Sequence, residues 1–336
     1  MLEALTTLGG TFLKVVIVCM TLIMIVAYVT WLERKVLGHI QIRRGPLYVG
    51  FHGLLQPFAD VLKLLMKEDV IPDGADRAIF ALAPGITVAT ALATVAVIPF
   101  GESVTVFGQT IHFHIADLNI GILYILAIAS LGVYGLILGG WAANNKFSLL
   151  GGLRSSAQMV SYEISLGLAL VGPLMLAGTL RMRGIVDAQQ DVWFVFLQPL
   201  AFITYLTAAL AEINRVPFDL PEAESELVAG YHVEYSGFKF AFFFLGEYIA
   251  MVMVAAIATT LFLGGYHGLF GLDSPWLGPL WFLAKVAVLL FVFIWVRGTL
   301  PRFRYDQLMQ FGWKVLLPLA LLNIAVTGFV VVWRQG

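Results

Sequence analysis

Acidic side chains are concentrated in one stretch of the chain, residues 212–235. This stretch contains six of the 21 Asp and Glu residues but only one basic residue, Arg215. The acidic positions are Glu212, Asp219, Glu222, Glu224, Glu226 and Glu234. Crowded carboxylates influence one another's protonation, so such a cluster can handle protons, hold a cation or bind a basic partner. The stretch is the first candidate for chemistry.

Further ionisable residues lie inside apolar runs. Glu163 and Glu247 each interrupt such a run, Glu212 ends one, and Lys285 lies within another. An ionised group at membrane depth costs at least about 2.5–3.5 kcal/mol on insertion scales, which makes such groups functional candidates by default. A buried carboxyl can remain protonated and change state when a nearby charge changes. We predict a proton relay that uses Glu163, Glu212 and Glu247. For Lys285, an internal ion pair that locks the helices together is favoured over a relay role.

The spacing within the acidic stretch is helical, but its prolines are not compatible with one helix. Spacings of three, four, three and four separate Glu212, Arg215, Asp219, Glu222 and Glu226, which would share one face of a continuous helix. Pro217 and Pro221 push the residues before them out of the helical region. We therefore predict a bend, with a new helix starting at Pro221. Like charges at Glu222 and Glu226 would make this segment responsive to pH.

The composition places these residues in a membrane protein. The chain of 336 residues is 60% hydrophobic and 12% charged, with a mean hydropathy of +0.90. Eight apolar runs can each cross about 30 Å of hydrocarbon, and in lipid such runs must be helical. They are 11–31, 78–100, 119–141, 159–180, 192–213, 238–263, 276–297 and 311–333. The predicted fold is an all-α polytopic membrane protein, a single domain over residues 1–336.

The basic residues indicate an orientation. Most of the 20 Lys and Arg residues fall in or beside the connections 31–78, 141–159, 213–238 and 297–311. By the positive-inside rule these connections are cytoplasmic, so the acidic stretch is cytoplasmic and both termini lie on the opposite side. The N-terminal residues lack a basic region and a small-residue cleavage site, so the first span is expected to be a retained helix.

Residues 51–68 predict an amphipathic helix at the membrane interface. Phe58 and neighbouring leucines share one face, whereas Asp60 and Lys63 lie on the other. A membrane-surface helix is favoured on pattern alone, and one wall of a cavity that opens at the membrane surface is the alternative.

Two other connections carry distinctive patterns. Residues 103–115 alternate in polarity and predict an external β-hairpin, on which His112 and His114 are expected to form a solvated face, with half of a metal site as the alternative. Residues 297–311 form a basic and aromatic loop. Anchoring at lipid headgroups is one interpretation, and contact with an acidic partner or with the acidic stretch is the other.

Redox centres are not expected in this chain. The single cysteine, Cys19, excludes a disulfide framework, a CxxC zinc site and a four-cysteine iron–sulfur site within the chain. No glycine-rich dinucleotide fingerprint follows a predicted strand, so nicotinamide and flavin must bind elsewhere. No metal site is predicted.

Several segments together resemble the quinone-site membrane subunits of respiratory complex I, a family that includes the H subunit of bacterial NADH-quinone oxidoreductase and its mitochondrial counterpart. The matching segments are 33–38 (ERKVLG), 41–46 (QIRRGP), 53–63 (GLLQPFADVLK), 156–163 (SAQMVSYE), 212–235 and 297–309 (RGTLPRFRYDQLM). They occur in family order and cover most of the chain. The 24-residue acidic stretch is the most specific of them.

The resemblance implies a division of roles among these residues. It implies eight spans, of which the second to sixth resemble the five-helix unit of the antiporter-like subunits. Residues expected to line or support a quinone chamber are Arg34, Phe58, Asp60, Lys63, Arg215 and Phe218. Residues expected to couple quinone reduction to proton movement are Glu163, Glu212, Asp219, Glu222, Glu224, Glu226, Glu247 and Lys285.

The resemblance also implies partners and a location. Quinone, with ubiquinone favoured, would be the bound substrate, while flavin and iron–sulfur clusters would belong to partner subunits. Cluster-bearing peripheral subunits would dock at the cytoplasmic loops, with small membrane subunits and antiporter-like subunits alongside in the lipid. No nucleic acid is expected. A bacterial inner membrane, with periplasmic termini, is favoured over a mitochondrial one. A membrane anchor of an energy-converting hydrogenase and a stand-alone ion-coupled transporter are the alternatives.

Overall fold

The computed structural model describes residues 2–106, 109–220, 228–268 and 274–335. The chain is mostly helical within these ranges. In chain order the helices are α1 (Leu2–Ile40), α2 (Gln56–Met66), α3 (Arg77–Thr94), α4 (Gly121–Ala142), α5 (Lys146–Ala177), α6 (Met182–Asp187), α7 (Phe194–Leu197), α8 (Pro199–Glu212), α9 (Gly237–Phe262), α10 (Gly278–Thr299), α11 (Tyr305–Phe311) and α12 (Leu317–Gln335). A π-helical turn, Gly312–Leu316, joins α11 to α12.

Seven helices in the described part of the chain are long and apolar enough to span a membrane. They correspond to seven of the eight predicted spans. The predicted fifth span, 192–213, is instead divided into the four-residue α7 and the 14-residue apolar helix α8. Pro199 accounts for the break, because a proline disfavours helical backbone in the residue before it, and Gln198 adopts φ −132° and ψ 50°.

Local signals fix several helix ends. The carboxylate of Asp76 accepts hydrogen bonds from the backbone N–H groups of Ala78 and Ile79 and so caps α3. The side chain of Asn145 caps α5 in the same way, and α5 ends at Gly178 in the left-handed conformation. The first helix is longer than predicted: α1 continues nine residues past position 31, to Ile40. That extension carries Glu33 and Arg34 on a helix and not in a loop.

The core is built around α9, which is the most buried of the seven long helices. It packs against α3, α10 and α1, while α5 packs against α4, α8 and α12. Glycines allow the close approaches: a Cβ on Gly151 would lie 2.6 Å from the backbone nitrogen of Tyr231. The chain after α8 is thereby held against α5, close to the predicted site.

Two smaller predicted elements have defined structures. Within the predicted hairpin, strands β1 (Val104–Val106) and β2 (Gln109–Ile111) pair antiparallel with Val104 opposite Ile111. The predicted interfacial helix begins later than expected, at Gln56, after a short 3₁₀ turn at Phe51–Gly53. Its apolar side chains, including Leu62 and Leu65, are exposed, as expected for a face that meets lipid.

Candidate functional site

A buried arginine, Arg215, occupies the centre of the candidate site. Only 4% of its surface is exposed. Its Nε lies 2.6 Å from Oε1 of Glu247, and its Nη1 lies 3.2 Å from Oε1 of Glu33. The Nε contact is an ion pair without hydrogen-bond alignment, since this nitrogen has no hydrogen-bond partner. The guanidinium also lies 4.2 Å from the ring centre of Tyr248, within cation–π range. One side chain therefore bridges two carboxylates.

Glu33 is the second centre of the site and is also buried. Its carboxylate accepts hydrogen bonds from Nη1 of Arg215, from the hydroxyl of Tyr248 at 2.8 Å and from Nη1 of Arg297. Two guanidiniums thus share one carboxylate. Removing one partner of a buried ion pair leaves an uncompensated charge and costs about 3–5 kcal/mol, so these groups depend on one another.

A third pair extends the site into the chain after α8. Asp219, 6% exposed, accepts a hydrogen bond from Nη2 of Arg302 at 2.9 Å. Burial raises the pKa of the Asp219 carboxyl, while the positive charges of Arg302, Arg297 and Arg215 oppose that rise. We use the name charge network for Tyr248 and six charged residues, which are Glu33, Arg215, Asp219, Glu247, Arg297 and Arg302. Three carboxylates face three guanidiniums, so the fully ionised network is neutral.

The elements that carry the network converge from distant parts of the chain. Glu33 lies on α1, Glu247 on α9 and Arg297 on α10. Arg215 follows α8, where Asn214 takes a left-handed conformation with φ 51° and its side chain donates to Ser155 Oγ at 3.1 Å. The predicted bend agrees with this, because α8 ends at Glu212 and turns follow it, whereas the helix predicted to start at Pro221 lies outside the described residues.

Aromatic packing joins the acidic stretch to the loop after α10. The ring of Phe218 stacks on Phe303 at 5.5 Å between centres, and the backbone N–H of Phe303 donates to the carbonyl of Pro217 at 3.1 Å. Together with the Asp219–Arg302 pair, these contacts show that the basic and aromatic loop contacts the acidic stretch. That was the second of its two predicted roles.

A cavity of about 120 Å³ adjoins the charge network inside the bundle. Glu247 and Glu212 both contribute to its wall, as do Asn214 and Tyr205, in an otherwise largely apolar lining. Helix α3 contributes three threonines, Thr87, Thr90 and Thr94. A water needs about 10–15 Å³, so the cavity is large enough for several. It therefore connects two membrane carboxylates through a space whose polar lining is confined to a few side chains.

Glu163 extends this connection beyond Glu212. It lies on α5 and is half-buried, and its carboxyl is close enough to that of Glu212 for the two charges to interact. The order in space is therefore Glu247, the cavity, Glu212 and Glu163. The structure brings together the three carboxylates predicted as a relay.

The predicted chamber residues on α2 form a separate group beside α1. Nη1 of Arg34 lies 2.5 Å from Oδ2 of Asp60, and Oδ1 of Asp60 accepts a hydrogen bond from Gln56 at 2.9 Å. Phe58 meets Tyr28 edge to face at 6.4 Å. Because Arg34 follows Glu33 directly, one helix links this group to the charge network. Lys63, by contrast, is exposed and lies outside both groups.

The remaining predicted residues are placed as follows. Glu222, Glu224 and Glu226 lie outside the residues that the structure describes. Lys285 lies near the end of α9 that is away from the charge network, and its ammonium donates hydrogen bonds to backbone carbonyls. His112 and His114 lie side by side, 5.3 Å between ring centres. Among the described residues, no three His, Cys, Asp or Glu side chains converge as metal ligands would.

Sequence reasoning missed Glu33, Tyr248, Arg297 and Arg302 as site residues. A signal for Glu33 was present, since a carboxylate adjoining an apolar run deserves the same scrutiny as Glu163. The predicted first span ended at residue 31, so Glu33 was assigned to a loop. Arg297 and Arg302 stood within a recognised segment but were interpreted only as headgroup or partner contacts.

The fold and the site together define an integral membrane protein that holds compensated charges inside a helical bundle. A family model described as NADH dehydrogenase matches residues 13–328. The first of two H subunits of NADH-quinone oxidoreductase in Geobacter metallireducens is 53% identical over 322 residues, which cover 96% of each chain. The second H subunit of the same enzyme in Syntrophobacter fumaroxidans is 54% identical, covering 95% of each chain. The H subunit in Thermomicrobium roseum is 53% identical, covering 93% of each chain.

The chain belongs to this NADH dehydrogenase family. The resemblance found in the sequence segments is thereby confirmed over nearly the whole length. Membership makes the chain a subunit of a membrane-bound oxidoreductase, and its bacterial relatives support a bacterial inner membrane.

Proposed function

We propose that the chain is the quinone-site membrane subunit of a proton-translocating NADH–quinone oxidoreductase, and that its charge network couples quinone reduction to proton movement. The observation that carries the proposal is the position of Arg215. It bridges Glu33 and Glu247, and Glu247 also borders the cavity that leads to Glu212. A change of charge near Glu33 therefore alters the electrostatic environment of Glu247, the first carboxylate of the proposed proton route.

The quinone would bind beside α1 and α2, where Arg34, Asp60 and Phe58 lie together. Reduction of a quinone to a quinol takes two electrons, which cluster-bearing partner subunits would supply, and two protons. Either an anionic intermediate or the loss of a proton nearby changes the charge next to Glu33. Because the ionised network is neutral, any such change leaves it with an excess charge in a region of low dielectric.

Arg215 is the element that would respond. A guanidinium shared by two carboxylates moves toward the one that becomes more negative, because the attraction grows at the shorter distance. If Arg215 moves closer to Glu33, its positive charge compensates the charge of Glu247 less well. The proton affinity of Glu247 then rises. Glu247 would then take a proton through the cavity from Glu212 and Glu163. Coupling requires such a shared two-state element between the redox site and the proton site.

The chain forms one membrane domain, with the network on the cytoplasmic side and the termini and the β-hairpin on the periplasmic side. Peripheral cluster-bearing subunits dock at the loops around Arg302, and other membrane subunits and lipid surround the bundle. Ubiquinone is the favoured acceptor. Glu222, Glu224 and Glu226 extend the coupling segment. The relatives named above are all NADH-quinone oxidoreductase subunits, which favours this function over a hydrogenase anchor or a transporter.

The replacement Glu247→Gln tests the proposal, because it removes a titratable group and keeps the shape. Three activities are measured on membranes: NADH oxidation by quinone, proton pumping, and NADH oxidation by a hydrophilic acceptor that takes electrons upstream of quinone. We expect the first two to fall at least about tenfold and the third to stay unchanged. The control is Glu102→Gln, which alters an exposed glutamate in the connection after α3. Full quinone reduction and full pumping in the Glu247→Gln variant would refute the coupling role.

A further inference from the structure

Lys285 is held by backbone carbonyls near the end of α9 that lies away from the charge network. Only 7% of this residue is exposed. Its Nζ donates to the carbonyls of Leu263, Gly265 and His267 at 2.6, 2.9 and 2.6 Å. The ammonium also lies 4.3 Å from the ring centre of Trp193. An aliphatic ammonium has three N–H donors, which suit a cluster of carbonyl acceptors at these distances.

The backbone is arranged so that these carbonyls converge. The three carbonyls belong to the cap and turn that follow α9, and the negative end of the helix dipole also favours a cation there. Gly264 and Gly265 follow α9 with φ +70° and +54°. A Cβ on Gly264 would lie 2.6 Å from Nε1 of Trp193, and one on Gly265 would lie 2.6 Å from Val186. Glycine is therefore needed at both positions for the turn to close around the ammonium.

A buried glutamine braces the same turn. Gln189 donates from Nε2 to the carbonyl of Thr260 at 2.9 Å, and its Oε1 accepts from the backbone N–H groups of Gly264 at 3.1 Å and Phe194 at 3.2 Å. The turn after α9 is thus fixed to the segment that precedes α7. Gln189 therefore helps to hold the carbonyls of this turn in place independently of Lys285.

These contacts give α10 two attachment points. Lys285 fastens it to the end of α9, and Arg297 fastens it to Glu33 in the charge network. The two residues are twelve positions apart, which is about 18 Å along a helix. An axial shift of α10 would move Arg297 relative to Glu33 and disturb the balance that positions Arg215.

We propose that the carbonyls of Leu263, Gly265 and His267 form a cation-binding cage whose occupant is the Lys285 ammonium, and that this cage fixes the axial position of α10 at which Arg297 meets Glu33. Lys285 is then a positioning residue and not a proton carrier. Loss of its proton would leave one of the three carbonyls without a donor. The effect on turnover rests on the proposed function, whereas the cage itself does not.

A double-mutant cycle in the intact complex tests the positioning role. The variants are Lys285→Met, Arg297→Met and the double variant, measured for quinone reduction and for thermal unfolding. Residues this far apart are normally additive. We expect Lys285→Met to lower quinone turnover about tenfold in the native background, but no more than about twofold in the Arg297→Met background. Equal effects in both backgrounds would overturn the positioning role. If the proposed function is wrong, turnover does not report on the position of α10. The unfolding temperatures of the same complexes still show whether the effect of Lys285→Met depends on Arg297.

Chemical rescue tests the cage directly. Lys285→Ala leaves room for a small amine, so propylammonium is added to the complex, with tetramethylammonium as a cation of equal charge that has no N–H donor. We expect propylammonium alone to raise the unfolding temperature of the variant and to restore quinone turnover. Lys14→Ala, which removes a lysine from α1, is the matched control and should not respond. No effect of propylammonium, or an equal effect of both cations, would overturn the cage.

Discussion

The guanidinium of Arg215 lies 2.6 Å from the carboxylate of Glu247, and both side chains are enclosed by the helical bundle. Water cannot screen this pair as it would a surface pair, so each charge depends on the other for compensation. Arg215 nevertheless divides its contacts, because Glu33 lies on its other side at 3.2 Å. Because Arg215 contacts both Glu247 and Glu33, a change of charge at one carboxylate alters how well the charge of the other is compensated.

Replacing Arg215 by lysine should separate charge from geometry. Lysine keeps the positive charge, but its single ammonium cannot bridge two carboxylates and also lie flat over Tyr248. We expect quinone reduction to fall about tenfold or more, while electron transfer to an upstream acceptor is retained. Arg334→Lys, an exposed change near the end of α12, is the control. Normal quinone turnover in Arg215→Lys would show that bridging is not required.

Removing the charge of Glu33 should be harmful because it leaves Arg215 and Arg297 with excess positive charge. Breaking such a buried pair costs about 3–5 kcal/mol, so we expect Glu33→Gln to lower the unfolding temperature of the complex and its quinone turnover. Adding Arg297→Gln restores neutrality.

The double variant should therefore be more stable than the sum of the two single effects predicts. The coupling energy is expected to be about 0.5–3 kcal/mol in magnitude. Strict additivity, measured by unfolding of the four complexes under one condition, would mean that Glu33 and Arg297 do not compensate each other.

Arg302 should set the pH at which Asp219 ionises. Burial raises the pKa of Asp219, and the charge of Arg302 lowers it. Without Arg302 the carboxyl needs a higher pH to lose its proton, so Arg302→Met should shift the acid limb of quinone turnover to higher pH. Arg304→Met alters an exposed arginine two positions further on and should leave that limb in place. A profile that is the same for both variants and the native protein would exclude Asp219 as the titrating group.

The sequence was sufficient to predict seven membrane-spanning helices and part of the site. Lipid requires helical spans, so hydropathy identified seven of them, and the concentration of carboxylates pointed to Arg215, Asp219 and Glu212. Contacts between residues that lie far apart in the chain could not be predicted from the sequence. Glu33 and Arg215 are 182 positions apart, and no local pattern connects them.

Backbone acceptors are equally hard to predict. Lys285 stood out as a charged residue in an apolar run, which suggested a carboxylate partner or a relay. The partners described above are carbonyls of a turn that only the folded chain brings together. The division of the fifth span has a clearer sequence origin, because Pro199 restricts Gln198, yet the apolar run continues through both.

His232 should make the protein less stable in mild acid. It lies in a 3₁₀ turn, Gly230–His232, with its ring against Tyr231 and Phe240, and burial lowers its pKa to about 4. An unfolded histidine has a pKa of about 6.5, so between these values the unfolded chain binds more protons than the folded chain. Stability therefore rises with pH in this window and falls as the pH drops from about 6.5 toward 4.

Replacing His232 by glutamine removes the proton uptake that causes this loss. The native complex should unfold at a lower temperature at about pH 5 than at about pH 7, and the difference should shrink in His232→Gln. His39→Gln changes an exposed histidine on α1 and provides the matched comparison. If His232→Gln and His39→Gln reduced the difference equally, or if neither reduced it, burial of His232 would not be the cause. Because Gly151 of α5 packs directly against the backbone of this turn, the same loss should loosen the contact that holds the chain after α8 in place.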